Sequence, residues 1–133
     1  MSVDGEVVGA IGAGLCVLVG VTHDDSEESA RRLARKLFNL RLFDDDAGVM
    51  NLSLGETGHE ALVVSQFTLY GDTRKGRRPS WLAAARPEVA EPLVEAVVEE
   101  LQSLGTDVAT GRFGAYMQVA LVNDGPSTVM IET

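Results

Sequence analysis

Hydrophobic positions along this chain fall into two kinds of run, and they predict different elements. Leu15-Cys16-Val17-Leu18-Val19-Gly20-Val21 is short, continuous and rich in β-branched residues, as in a strand buried on both faces, with Cys16 as a small core residue. Ala61 to Thr68 is a second buried strand, which turns polar at its C-terminal end. Val3 to Val8, Arg41-Leu42-Phe43 and Val49 to Leu54 read as further strands, as do Val108-Ala109, Ala115 to Val122 and Thr128 to Glu132. Helical spacing appears twice. Asp24, Asp25 and Ser26 offer N-caps for a helix to about Leu40, with Ala30, Leu33, Ala34 and Leu37 on its apolar face and Arg31, Arg32 and Arg35 largely opposite. A second helix runs roughly from Pro87 to Leu104 on Leu93, Val97 and Leu101, with Pro87 suited to its first turn and Gly105 to its C-cap. Pro92 falls in its interior, so this helix is expected to start late or bend. The order predicts an α+β fold: a mostly antiparallel sheet curled towards a barrel, with two helices.

Size narrows this to one domain over residues 1–133, long enough to bury a core. The N-terminus lacks the pattern of a signal peptide, and the longest apolar run is a third of a membrane span. A single cysteine excludes an intrachain disulfide, so a soluble, cytoplasmic protein is expected. A formal charge of −9 argues at first against a nucleic-acid partner. Its distribution changes that picture, because four of the 11 basic residues, Arg74, Lys75, Arg77 and Arg78, fall in one pentamer. Such a loop suits one phosphate-rich feature held locally on an acidic body, and suits a plain solvated loop equally well.

Familiar catalytic patterns are missing. His23 and His59 lie in polar, acidic stretches, and no GxSxG elbow, HExxH motif or Cys/His cluster is present. Gly9 to Gly14 fails the dinucleotide-loop spacing and leads into a strand, while Asp44-Asp45-Asp46 lacks the spacing of a calcium loop and reads as an acidic turn. No metal site and no cofactor are therefore expected. Chemistry falls to hydroxyls, an amide and backbone groups, which Ser65-Gln66-Phe67-Thr68 supplies at the end of a buried strand. Asn123-Asp124-Gly125-Pro126-Ser127-Thr128 is the second unusual run, a Gly-Pro turn between two strand-like segments. Gly125 lacks a side chain and Pro126 an N–H, so the pair can present bare carbonyls at close range.

Together, Ser65-Gln66-Phe67-Thr68-Leu69 and Asn123 to Thr128 resemble the two signature motifs of the D-aminoacyl-tRNA deacylases, which free tRNA from mischarged D-amino acids. Asp4 to Gly9, Gly12 to Leu15, Met50-Asn51-Leu52, Gly76 to Trp81 and Thr110 to Phe113 look like family features in the family's order, so the resemblance covers nearly the whole chain. It implies a homodimer in which Gly125-Pro126, with a cis peptide bond, reaches into the partner's site and rejects L side chains with backbone carbonyls. Glycyl-tRNA is then a substrate too. Ser65, Gln66, Phe67 and Thr68 would surround the ester, with the Phe67 or Thr68 N–H as oxyanion donor. Attack by water, helped by the terminal ribose hydroxyl, is favoured over Thr68 as nucleophile. Ala85, Phe113 and Met117 match positions lining the pocket for the terminal adenosine and aminoacyl group. The family's pattern also begins with a strand carrying Gln-Arg-Val upstream of the position matched by Val3, and this sequence starts after it. That Arg is expected to buttress the Gly-Pro loop, which puts activity at stake.

Three function classes remain open on sequence alone. The first is a metal-independent, proofreading D-aminoacyl-tRNA hydrolase. The second is a non-catalytic dimer that binds a tRNA end or small ligand and lost activity with its first strand, and the third is a generic metal-free esterase or amidase.

Overall fold

The computed structural model describes residues 1–133. In chain order it contains β1 (Ser2–Val3), β2 (Glu6–Val7), β3 (Gly14–Val19), α1 (Glu27–Asn39), β4 (Arg41–Asp44), β5 (Met50–Ser53), α2 (Leu54–Thr57) and β6 (Glu60–Ser65). A 3-10 turn (Phe67–Tyr70), α3 (Pro87–Ser103) and β7 (Val108–Thr110) follow. Helix α1 begins where the sequence places its cap. The Ser26 hydroxyl accepts the Ser29 N–H at 3.2 Å and the Ser29 hydroxyl accepts the Ser26 N–H at 2.9 Å, closing two orphan donors. Helix α3 starts at Pro87 and runs through Pro92 without interruption, so the expected late start does not occur. Arg31 ties the two long helices together, reaching Glu27, Glu99 and Glu100 at 2.8, 3.2 and 3.3 Å.

The main sheet has the order β3-β6-β7 and is parallel throughout, with Gly14 opposite Glu60, Val19 opposite Ser65 and Ala61 opposite Val108. This corrects the expected antiparallel sheet. β3 reaches β6 through α1 and a hairpin, and β6 reaches β7 through α3, connections long enough to return each strand in the same direction. No barrel closes: the remaining strands form two separate two-stranded pieces, β1-β2 and β4-β5. The fold is mixed α/β with three helices, because Ser53 caps the single turn of α2 with Glu56 in a second capping box. The β4-β5 turn is the plain acidic turn expected. There the Asp45 carboxylate accepts the Ala47 and Val49 N–H groups at 2.9 and 3.0 Å, which together hold its pKa below the ordinary value, Val49 contributing most.

Both long helices cover one face of this sheet. Ala30, Ala34 and Leu37 of α1 and Val94, Val97 and Leu101 of α3 share one core with Val19, Ala61 and Val63. The other face has a small cluster of Met1, Leu62 and Val64, with Val8, Ile11, Ala109 and Met117 against it. Cys16 and Leu18 point out on this side and are exposed, Leu18 by 44%. Cys16 is thus not a core residue, since the apolar run of β3 buries one alternate set of positions and leaves the other open. Nor do Ala115 to Val122 and Thr128 to Glu132 form strands. Their one ladder contact is the bridge between Ser2 and Gln118, because no neighbouring strand offers them a hydrogen-bonding edge.

Candidate active site

Ser65 ends β6, the central strand, and the Gln66 N–H continues the ladder by donating to the Val19 carbonyl at 2.8 Å. The chain then tightens into the 3-10 turn, held by Leu69 N–H to the Gln66 carbonyl at 3.2 Å and Gly71 N–H to the Thr68 carbonyl at 3.0 Å. No side chain caps this turn. The Phe67 and Thr68 N–H groups, at its first positions, therefore have no intrahelical acceptor. The Gln66 amide donates to the Thr68 hydroxyl, and that hydroxyl has no other hydrogen-bond partner. Since an amide does not accept a proton at neutral pH, nothing beside Thr68 would generate an alkoxide.

A cavity of about 170 Å³ opens between the C-terminal ends of β6 and β7 and helix α3. It brings Ser65, Phe113 and Met117 together, three of the residues singled out from the sequence. Met117 is fixed there by its sulfur, which accepts the Arg112 N–H at 3.3 Å. The cavity is not lined by Gln66, Phe67 or Thr68, which follow Ser65 onto the exposed turn, or by Ala85. Ala85 is instead buried in the main core, its N–H donated to the Val21 carbonyl at 2.9 Å. Sequence reasoning missed Glu91 and Glu95, which enter the cavity wall from α3. Their separation by four on one helix was the available signal. A larger cavity, about 370 Å³, lies by the start of α1 and Ile131 to Thr133 and holds none of the singled-out residues.

The Gly125–Pro126 peptide bond is cis, and Gly125 has a φ of +149°, a backbone state that an L side chain rarely adopts. Its loop is organised by one residue that the sequence reading did not single out for this. Asn123 donates its amide to the Thr128 hydroxyl at 2.8 Å and accepts the Ser127 N–H at 3.1 Å. The signal for it was an Asn opening a turn, where its side chain imitates backbone. All residues from 118 to 130 are exposed, and neither cavity is lined by Gly125 or Pro126. No hydrogen bond within the chain joins the two motifs.

The basic loop is closed at its base by paired backbone bonds between Asp72 and Ser80, at 2.7 and 2.8 Å. Arg74 is not free: its guanidinium grips the Asp72 carboxylate at 2.9 and 2.7 Å, and these bonds pull Asp72 down to about 2. Lys75, Arg77 and Arg78 are exposed and enter no salt bridge. The histidines lie outside this region's chemistry. His23 bonds the Leu82 carbonyl at 2.6 Å, and His59 packs edge-on against Phe43. No group of three or more His, Cys, Asp or Glu side chains is gathered as metal ligands. No helix is long and apolar enough to cross a membrane.

Residues 1–132 match the D-Tyr-tRNA(Tyr) deacylase family model. Over 133 residues the chain is 60% identical to the D-aminoacyl-tRNA deacylase of Roseiflexus castenholzii, covering all of this chain and 85% of the relative. The Streptomyces coelicolor protein of the same name is 61% identical over 131 residues, 98% of this chain and 89% of its own. Among solved structures, the c-Myc DNA unwinding element binding protein superposes with a TM-score of 0.92 at 38% identity, over 99% of this chain and 90% of that one. A probable eukaryotic D-amino acid tRNA deacylase shares the fold, with a TM-score of 0.68 at 19% identity over 80% of this chain and 77% of its own. With nearly every residue matched and several relatives above half identity, this chain belongs to the D-Tyr-tRNA(Tyr) deacylase family.

Proposed function

We propose that this protein hydrolyses the ester of D-aminoacyl-tRNA, and of glycyl-tRNA, as a proofreading step of translation in the cytoplasm. The observation that carries the reading is the uncapped turn at Phe67 and Thr68, which directly follows Ser65 at the wall of the Phe113–Met117 cavity. It offers N–H donors without partners beside a space that can hold an aminoacyl group. Water attacks the ester carbonyl, and the Phe67 or Thr68 N–H holds the developing oxyanion, a contribution worth roughly a hundred- to a thousandfold in rate. The bond from carbonyl carbon to ribose oxygen then breaks. That oxygen leaves protonated on the tRNA, with the neighbouring ribose hydroxyl as proton shuttle, and the D-amino acid is released. No step calls for a metal ion.

Chiral selection falls to Gly125 and Pro126, acting on the site of a second copy. Two observations support a homodimer. The exposed loop makes no hydrogen bond to the Ser65 to Thr68 segment of its own chain, and the main sheet leaves Cys16 and Leu18 uncovered on a face that parallel sheets ordinarily bury. Backbone carbonyls set close to the substrate's Cα exclude an L side chain by contact. They make no demand on a D side chain, and glycine has nothing to exclude. Lys75, Arg77 and Arg78 hold tRNA phosphates, while Arg74 keeps the loop in shape through Asp72.

Matched D-Tyr-tRNA and L-Tyr-tRNA, each with and without a chelator, test the proposal. Release of D-tyrosine alone, indifferent to the chelator, is expected. Intact D-Tyr-tRNA would refute the hydrolase, and binding of tRNA without turnover would leave the non-catalytic dimer in its place.

A further inference from the structure

Phe67 and Trp81 stand edge to face, ring centroids 5.6 Å apart and planes at 70°. Aromatic surface of this size is ordinarily buried. Here Phe67 is 54% and Trp81 43% exposed. We propose that this pair is a stacking platform for the unpaired bases at the 3′ end of the RNA substrate, an inference that rests on the tRNA reading above.

Position supports it first. Phe67 opens the turn that leaves the cavity strand just after Ser65, and Trp81 directly follows Ser80, which closes the basic loop onto Asp72. The aromatic pair thus connects the cavity wall to Lys75, Arg77 and Arg78, the cations of that loop without ion-pair partners. Pre-organisation supports it next. The Trp81 ring lies in the space that a side chain on Gly71 would fill, its Cζ3 and Cε3 atoms standing against the place a Cβ would take. The platform is therefore fixed before a ligand arrives, which lowers the ordering cost of binding. Charge chooses the occupant. On a body of net charge −9, a free cationic loop beside two aromatic faces suits a strand whose phosphates meet the loop while its bases stack. Stacking on an aromatic face needs no hydrogen-bonding partner for the base, so two exposed rings suffice to hold an unpaired end.

Trp81 is the only tryptophan of the chain, so its emission reports on the platform without mutation. Full-length protein is titrated with an uncharged RNA hairpin bearing a short unpaired 3′ end and with the same hairpin made blunt, anisotropy of a label on the RNA following binding independently. The unpaired end is expected to quench Trp81 saturably and to bind about tenfold tighter than the blunt form. In Trp81→Ala the two affinities should converge to within about twofold, while Trp81→Phe keeps most of the preference. If the Ala variant fails to fold, the wild-type emission decides. Tight binding with unchanged emission, or equal affinity for both hairpins, overturns the platform alone. A concentration-dependent emission shift without RNA, as a second copy covers Trp81, also overturns it. Absence of RNA binding in anisotropy overturns the tRNA reading with it.

Discussion

The two signature segments sit in opposite mechanical settings. Ser65 to Thr68 grows out of the central strand, whose preceding residues Ala61 to Val64 are all buried, and the next N–H extends the ladder into Val19. Asn123 to Thr128 hangs within a wholly exposed run and is shaped by two hydrogen bonds from a single side chain. One half of the proposed site is a product of the domain's own folding. The other has its local shape set by Asn123 and, in the proposed dimer, would be placed by the second copy.

The contrast can be broken from its strong side first. Leu101, fully buried beneath the sheet, supports the first segment. Leu101→Ala is expected to lower stability by about 2–5 kcal/mol in denaturant melts. A loss below 1 kcal/mol would mean that the strand does not lean on the helix-covered core. Next comes Leu18→Glu on the open sheet face, which places a charge in the proposed dimer contact. Sedimentation should show self-association weakened on the order of a hundredfold, with activity falling in parallel and the monomer still folded. Asn123→Ala acts on the other segment. It should leave thermal stability nearly unchanged and lower kcat/KM roughly tenfold, since two ordinary hydrogen bonds of loop order disappear. A variant as active as the parent would show that the loop is shaped by its partner and not by Asn123.

Smaller effects sharpen the picture further. Thr68→Ala should retain most turnover, within about tenfold, because only the Gln66 amide contacts that hydroxyl. Complete loss would make Thr68 the nucleophile. Last, Asp72 has a folded pKa of about 2, below the usual carboxylate value near 3.9. Its ion pair with Arg74 therefore contributes fully above pH ~4 and is lost as pH falls through about 2. An NMR titration of the Asp72 carboxyl with a midpoint near 4 would free Arg74 for RNA.

Local chemistry was legible where one residue decides the outcome. Ser26 starts α1 and Asp45 organises its turn through bonds to residues two to four positions away, and Pro87 starts α3 through its fixed backbone angle. Strand direction was not legible, because the pattern of apolar positions within a strand is silent on which way its neighbour runs. Direction followed from the helical crossovers. Ala115 to Val122 shows the same limit, since an apolar-rich run favours a strand only if an edge is available. Cys16 misled because a continuous apolar run fits burial on both faces, whereas here one face is left exposed at Cys16 and Leu18. Of the residues singled out from the sequence, Ser65, Phe113 and Met117 line one cavity. Glu91 and Glu95 emerge only once α3 is placed beside β6 and β7, whereas the bonds of Asn123 and of Arg74 with Asp72 are local and were simply not singled out.

The bond from the Gln66 N–H to Val19 has a consequence on the timescale of hours. Because it prolongs the most protected ladder of the domain, its proton should exchange with deuterated solvent only through large-scale opening, alongside those of Val63 and Val64. Amides from 119 to 125 and from 128 to 130 lie on the surface and should exchange far sooner in the isolated chain. The proposed chemistry would then be anchored at a slow-exchanging strand end, right beside a turn whose residues are exposed.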